Sequence, residues 1–428
     1  MNRLLVQNGY VMDPASGQEG YRDILAENGR IVRMGDRRDW QDLQHIPDVR
    51  IYDATGLTVA PGLMDVHVHF RDPGFLYKED IESGSAAAAR GGFTTVVLMA
   101  NTRPVVDNAV TLAYVLEKGR QAGIHVESCC AVTKGLKGRE LTDMEGLLAA
   151  GAVGFTDDGI PLLDEEIART AMKEAARLGT VLSFHEEDPA YIAAPGIHAG
   201  EAAAYYGIGG AGREAEIRMV ERDIRLAAET GARIVIQHIS AKETVELVRN
   251  AKEKGISVYA EATPHHFTLN EHAAIRYGTL AKMNPPLREE GDRLAIIEGL
   301  KDGSIGLIAS DHAPHSAEEK AKPLTQAPSG IIGLETALAL GITSLVRPGY
   351  MTLMSLLEKM TCSPARLYGL NRGYLAEGGP ADLVLFDPGE HFRITEFASR
   401  SCNSPFTDME LVGRVKGTVC DGRIVYRE

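Results

Sequence analysis

Two histidines separated by a single valine, His67 and His69, close the mostly apolar run Leu63-Met64-Asp65-Val66. In a strand, residues two apart face the same side, so both imidazoles would project together. A pair of neutral imidazoles is a chelate for a borderline cation such as zinc. Arg71, two residues further on, offers a planar guanidinium fork to a substrate carboxylate just beyond the strand. The same pattern also describes a half-buried strand with polar positions at its end. The chemistry therefore depends on what else the chain supplies.

The elements that must position these groups follow from the alternation in the middle of the chain. Candidate strands span 63–67, 94–100, 125–130, 153–156, 181–185, 233–238, 257–261 and 306–310. Helical apolar spacing lies between them, over 81–90, 112–122, 165–178, 215–229 and 242–254, and Gly179, Gly231 and Gly255 act as stops. Eight strands in β–α alternation predict a (β/α)8 barrel, although a large doubly wound sheet shares that alternation. Both chain ends are β-rich instead. Short runs at 3–6, 10–12, 23–26 and 31–34 are punctuated by Asn8-Gly9, Asp13-Pro14 and Asn28-Gly29. A matching set returns at 381–386, 411–416 and 423–426, the last after Asp421-Gly422. The prediction is a TIM barrel over 58–373, carrying a small β-sandwich domain assembled from 1–57 and 374–428.

In such a barrel the active site lies at the C-terminal ends of the strands. Here strand one ends in His67 and His69, strand two in Asn101, and strand four in Asp157-Asp158. Strand five ends in His185, strand six in His238, and strand eight in Asp311-His312 with His315 close behind. That many donors exceed the need of one tetrahedral zinc and suit two metals, held ~3.5–4 Å apart with a hydroxide between them. His67, His69 and Asp311 would take one ion, and His185 and His238 the other. One of Asp157 and Asp158 would bridge them, because neighbours in a strand point opposite ways, and the residues alone leave the choice open. A carboxylate at Asp311 could also carry a proton to a leaving nitrogen.

Composition narrows the partners. The chain has 428 residues, 44% of them hydrophobic, and a net charge of −14. That is enough to bury a large core, and the acidity argues against nucleic acid or an anionic membrane surface. Five cysteines without a C-x-x-C pair, Cys129 and Cys130 adjacent, read as reduced thiols rather than a disulfide framework. The first eight residues hold too short an apolar run for a signal peptide, and no stretch approaches a membrane span. The expected location is cytoplasmic.

Asp65-Val66-His67-Val68-His69-Phe70-Arg71-Asp72-Pro73 and Ala309-Ser310-Asp311-His312-Ala313-Pro314-His315, with Lys320 beyond, resemble the two signature motifs of the dihydroorotase family in the amidohydrolase superfamily. Phe155-Thr156-Asp157-Asp158-Gly159 resembles the type I, bacterial branch, and the likeness extends to Gly379-Pro380-Ala381-Asp382-Leu383-Val384-Leu385-Phe386. The resemblance implies reversible cyclisation of N-carbamoyl-L-aspartate to L-dihydroorotate in pyrimidine biosynthesis, with two Zn2+ per subunit. It implies His67 and His69 on the first zinc, His185 and His238 on the second, Asp158 as the bridge, and Asp311 as ligand and general acid/base. It further implies that Arg71, Asn101 and His315, beside His69, hold the substrate carboxylate, and that Asn284 and the Ser329-Gly330 backbone contact the ring. A homodimer and association with aspartate transcarbamoylase are the partners it suggests.

Two rival readings carry the same scaffold: another cyclic amidase such as a hydantoinase or allantoinase, or an inactive subunit supporting the transcarbamoylase. Relatives of the first kind have a lysine where this chain has Asp158 and lack the Arg71 pattern, and subunits of the second kind lose metal ligands. Gly207-Ile208-Gly209-Gly210-Ala211-Gly212 matches G-x-G-x-x-G but follows Tyr205-Tyr206 in a long connection rather than a strand, so it does not read as a nucleotide loop. His265-His266 read as supporting or packing residues, His125 as structural, and His45, His198, His272 and His391 as surface or satisfied side chains. Two connections are long, 186–213 and 312–332, and the second is expected to close over substrate.

Overall fold

The computed structural model describes residues 3–36 and 49–428; His45 lies outside them. Five strands precede the barrel: β1 Arg3–Asp13, β2 Gln18–Glu27, β3 Arg30–Gly35, β4 Val49–Asp53 and β5 Thr58–Pro61. Three more follow it, β14 Leu383–Arg393, β15 Glu410–Cys420 and β16 Arg423–Arg427. Together they form one eight-stranded sheet in the order β16-β15-β14-β5-β1-β2-β3, with β4 added beside β1. The two chain ends meet at β5, which pairs parallel with β1 and antiparallel with β14.

The turn chemistry explains most of this sheet. Asn28 and Gly29 take positive φ, 48° and 85°, and close the β2–β3 hairpin, as Asp421 and Gly422 do for β15–β16. Asn8-Gly9 behaves differently from expectation. It does not end a strand but makes a bulge inside β1, where the register to β2 shifts between Val6 and Gly9. Asn8 adopts φ 64°, and its backbone N–H donates to Asp23 Oδ1 at 2.8 Å. Gly9 is required there because a Cβ would sit 2.4 Å from Val59 Cγ2.

The barrel strands are β6 Leu63–Val68, β7 Phe93–Leu98, β8 His125–Cys130, β9 Gly154–Thr156, β10 Val181–Phe184, β11 Arg233–Ile236, β12 Val258–Ala262 and β13 Leu307–Ile308. They pair in parallel, in chain order, from β6 to β13. The ring closes where His69 N–H donates to His312 O at 2.9 Å and the Asp65 carboxylate accepts from Ser310 N–H at 3.0 Å. Asp65 also takes the His67 N–H at 3.1 Å, satisfying backbone left over where the β6–β7 register slips. Met64, Val66, Val97, Val181, Val235 and Leu307 pack with Leu367 and Tyr368 from the helix Cys362–Tyr368, which plugs one end of the barrel. At the other end the strands run out into His185, His238 and Asp311. One end of the ring is therefore apolar, and the chemistry is confined to the opposite mouth.

The helices cover the outside. Glu165–Leu178 is representative: Ala168, Ala171, Met172 and Ala175 recur at helical spacing and are buried. The Asp164 side chain accepts from Glu166 N–H and Ile167 N–H, a cap worth about 1 kcal/mol, and Gly179 ends the helix at φ 67°. The long connection 186–213 contains the helix Glu201–Tyr206, which Gly207 ends in the left-handed conformation, so the glycine-rich stretch is a helix stop and loop. No helix among the described residues is long and apolar enough to cross a membrane.

Candidate metal centre

Asp158 sits at the middle of a buried cluster. Its Oδ1 lies 3.3 Å from His67 Nε2, 3.7 Å from His185 Nδ1 and 3.9 Å from His238 Nε2, and its Oδ2 lies 3.4 Å from His69 Nε2. Asp311 Oδ1 approaches from the opposite wall, 3.0 Å from His69 Nε2 and 3.6 Å from His67 Nε2. His185 Nδ1 and His238 Nε2 face each other at 3.0 Å. All six side chains named as ligand candidates thus converge, from β6, β9, β10, β11 and β13.

Asp157 turns away. Its Oδ1 accepts from Val132 N–H at 2.8 Å and Thr133 N–H at 3.0 Å, which fixes the loop after β8, and burial pushes its pKa up to about 6. Of the two aspartates after β9, Asp158 faces the mouth and Asp157 the loop.

Backbone conformation delivers several of these groups. Arg71, His238 and Asp311 have φ of 59°, 31° and 47°, left-handed for residues that carry a Cβ. Each costs on the order of 1 kcal/mol, and such strain persists where the surroundings hold a functional geometry.

The electrostatics define what the cluster accepts. Burial penalises charge on His67, yet Asp158 and Glu261 hold its imidazole well above its ordinary pKa. Asp158 in turn is held well below the usual carboxylate range by His67, His69 and His185, against its own burial. The site therefore demands positive charge between its carboxylates and draws a proton there when nothing else supplies it. His67 Nε2 is buried without a hydrogen-bond partner. Two groups of donor atoms, His67–His69–Asp158 and Asp158–His185–His238, are each close enough to hold a metal ion, with Asp158 common to both. The donor set of imidazoles and carboxylates fits zinc or a similar cation.

Beside the cluster lies a basic wall. Arg71 Nε donates to Pro314 O at 3.3 Å, leaving the rest of its fork available. His315 Nε2 is buried and unpartnered, and burial, with Arg71, Lys78 and Lys320 nearby, lowers its pKa to about 2, so the ring is neutral. Gly330 closes against it at φ 130°, where a Cβ would lie 3.0 Å from His315 Nε2. Asn284 Oδ1 is also buried and without a partner. Asn101 spans both regions: its Oδ1 lies 2.9 Å from His69 Nδ1, and its Nδ2 donates to Asp158 Oδ2 at 3.1 Å.

The connection 312–332 is pinned rather than loose. Lys320 Nζ donates to Pro328 O and Gly330 O at 3.0 and 2.9 Å, Lys282 Nζ to Leu324 O and Ala327 O, and Asn403 Nδ2 to Ala313 O and Gly330 O. Lys78 adds an ion pair to Glu319 at 3.0 Å.

The residues that sequence reasoning passed over are carboxylates. Glu261 Oε2 lies 3.1 Å from His67 Nδ1, Glu187 Oε2 lies 3.0 Å from His185 Nε2, and Glu79 Oε2 lies 3.4 Å from His312 Nε2. Their signal was positional: Glu261 lies near the end of a barrel strand, and Glu187 follows His185 by two. His266 supports the site's edge, its Nε2 meeting Pro285 O at 3.1 Å. His125 pairs with Asp382 at 3.0 Å at the far end of the barrel, beside a cleft of ≈ 760 Å3, well away from the cluster. His198 is buried against Arg288, and the exposed His272 and His391 pair with Glu201 and Glu410.

Comparison with known proteins agrees with this geometry. The Dihydro-orotase-like family matches residues 56–244. A dihydroorotase from Clostridioides difficile is 52% identical, covering 99% of both chains, and one from Lactococcus lactis subsp. lactis is 49% identical with the same coverage. Among solved structures, the L-hydantoinase (dihydropyrimidinase) from Arthrobacter aurescens superposes with a TM-score of 0.87 at 27% identity, covering 100% of this chain and 96% of that one. A D-hydantoinase at 21% identity and TM-score 0.86 shares the fold. With half its residues identical to dihydroorotases from end to end, the chain belongs to the dihydroorotase family of metal-dependent cyclic amidohydrolases.

Proposed function

We propose that this protein is a dihydroorotase, interconverting N-carbamoyl-L-aspartate and L-dihydroorotate in pyrimidine (UMP) biosynthesis. The observation that carries the reading is the buried ring of four imidazoles and the Asp311 carboxylate around Asp158, set beside Arg71 and His315. In this reading two Zn2+ are held per chain, one by His67, His69 and Asp311, the other by His185 and His238, with Asp158 shared. Cations so placed supply Lewis acidity and a water acidic enough to attack at neutral pH.

The chain's own residues do the rest. Arg71, Asn101 and His315 hold the substrate carboxylate, and Asn284 with the Ser329-Gly330 backbone positions the ring. In the ring-opening direction water adds to the amide carbon and the C–N bond breaks. Asp311 takes the proton from that water and delivers it to the departing nitrogen. Cyclisation runs the same path backwards. An anionic substrate meets an acidic protein, so the local basic wall is what receives it.

The likeness in shape to hydantoinases supports a second reading as a hydantoin-type amidase. Asp158 in place of lysine, and Arg71 aimed at a carboxylate that hydantoin lacks, weigh against it. The domain limits 1–57, 58–373 and 374–428, a cytoplasmic location, a homodimer and contact with aspartate transcarbamoylase belong to the same proposal. Assaying the zinc-loaded protein on dihydroorotate, hydantoin and allantoin, with a metal count alongside, tests it. Turnover of dihydroorotate alone is expected. Preference for hydantoin, or a metal-free inert protein, would reverse it.

A further inference from the structure

Strand β12 is the one barrel strand between β9 and β13 that sends no donor into the cluster. It sends Glu261 instead. That side chain is wholly buried, with Oε2 3.1 Å from His67 Nδ1 and Oε1 without a hydrogen-bond partner. A carboxylate accepts only, so Nδ1 carries the hydrogen and donates it. The Nδ1–H is thereby directed at Glu261, and Nε2 faces Asp158 Oδ1 at 3.3 Å and Asp311 Oδ1 at 3.6 Å, where it meets either the proton described above or a cation. A lone pair facing two carboxylate oxygens is repulsive unless a positive charge sits among them.

Two other imidazoles are steered in the same manner, one by an amide and one by a carboxylate close by in the chain. His69 Nδ1 is met by the neutral Asn101 amide, and His185 Nε2 by Glu187 on the same connection, two residues away. Glu261 alone reaches across from a separate strand to place a buried carboxylate behind a ligand candidate. A carboxylate behind a ligating imidazole orients the ring and raises its basicity towards a cation.

We propose that Glu261 is a positioning residue that sets the cation affinity of the His67/His69 subsite, by holding His67 Nδ1–H and adding a negative charge behind the ring. The inference rests on the metal reading given above. It separates from a merely structural role because weakened cation binding lowers the stability of the zinc-loaded protein beyond whatever Glu261 contributes without metal.

The test uses the full-length protein and the variants Glu261→Gln and Glu261→Ala, titrated with Zn2+ against a chelating dye and melted with and without the metal. Wild type is expected to bind two equivalents. In Glu261→Ala one equivalent should bind roughly 10–100-fold more weakly, the other unchanged. Glu261→Gln, whose amide oxygen still accepts from Nδ1–H, should fall between. The melting temperature of the variants should fall further below wild type in the zinc-loaded protein than in the chelated one. Equal affinities in wild type and both variants would overturn the inference, as would equal destabilisation with and without zinc. A wild type that binds no zinc would instead bring down the metal reading itself, and this inference with it.

Discussion

Asp311→Asn separates proton transfer from metal holding at one atom. Asp311 is buried, has φ 47°, and puts Oδ1 3.0 Å from His69 Nε2. Asparagine is the substitution of choice because it keeps the shape and tolerates the left-handed region, where alanine would add about 1–2 kcal/mol of strain. The amide oxygen can still face a cation, but it cannot take a proton from water and pass it to nitrogen. General acid–base groups contribute roughly 10²–10⁴ in rate, so kcat should fall by that factor, about 3–5 kcal/mol of barrier. KM should move little, because Arg71 and His315, the groups that hold the substrate carboxylate in this reading, are left in place. Ring opening and ring closure should slow equally, since a catalyst cannot alter the equilibrium between them. The assay is dihydroorotate consumption and formation at saturating Zn2+, with bound metal counted on the same sample. Activity within about tenfold of wild type at full metal occupancy would refute the proton-carrying role. Loss of activity that tracks loss of metal would reduce Asp311 to a ligand.

Arg71→Lys removes the planar fork while keeping the charge; losing one charge-assisted hydrogen bond of about 1.5–3 kcal/mol should raise KM roughly 10–100-fold with kcat less affected, and an unchanged KM would place the carboxylate elsewhere. Gly330→Ala would put a methyl 2.9 Å from Ala313 Cβ and 3.0 Å from His315 Nε2 at φ 130°. It should cost about 1–3 kcal/mol in stability and weaken substrate binding, read from thermal melts and KM. Burial, with Lys282 nearby, lowers the Lys320 pKa from 10.5 to about 7. Between those values the unfolded chain binds more protons than the folded one, so stability should rise with pH across that window and be smallest below it. The shift amounts to about 4–5 kcal/mol between its limits. The melting temperature of wild type should therefore climb from pH 6.5 to 9 more steeply than that of Lys320→Met; parallel slopes would show that the amine is not desolvated in the folded protein.

The sequence disclosed the fold wherever a period or a stop signal acted locally. Helices 81–90 and 165–178 have the predicted limits because capping aspartates precede them, Asp80 and Asp164, and Gly91 and Gly179 follow. The helix expected at 112–122 instead occupies Ala109–Gly119, since the Asn108 side chain caps Val110 and Thr111 N–H a turn before the apolar run begins. Asn8-Gly9 carries the composition of a turn, but the close approach of Val59 makes it a bulge, and nothing near residue 8 announces residue 59. The site divides along the same line. Histidines at strand ends were visible because barrel geometry converts strand order into proximity. Glu261 was not, because a buried carboxylate looks the same in a sequence as a solvated one until its partner, 194 residues away, is known. The length of the 312–332 connection and its place after strand eight suggest a lid. What holds it is a set of lysine and asparagine contacts to backbone carbonyls from Lys282, Lys320 and Asn403, two of them far away in the chain. A long loop whose carbonyls are bound in this way is expected to stay in place as a wall of the site when substrate binds. Ligand-dependent protection of that loop from protease would be the observation that restores the lid.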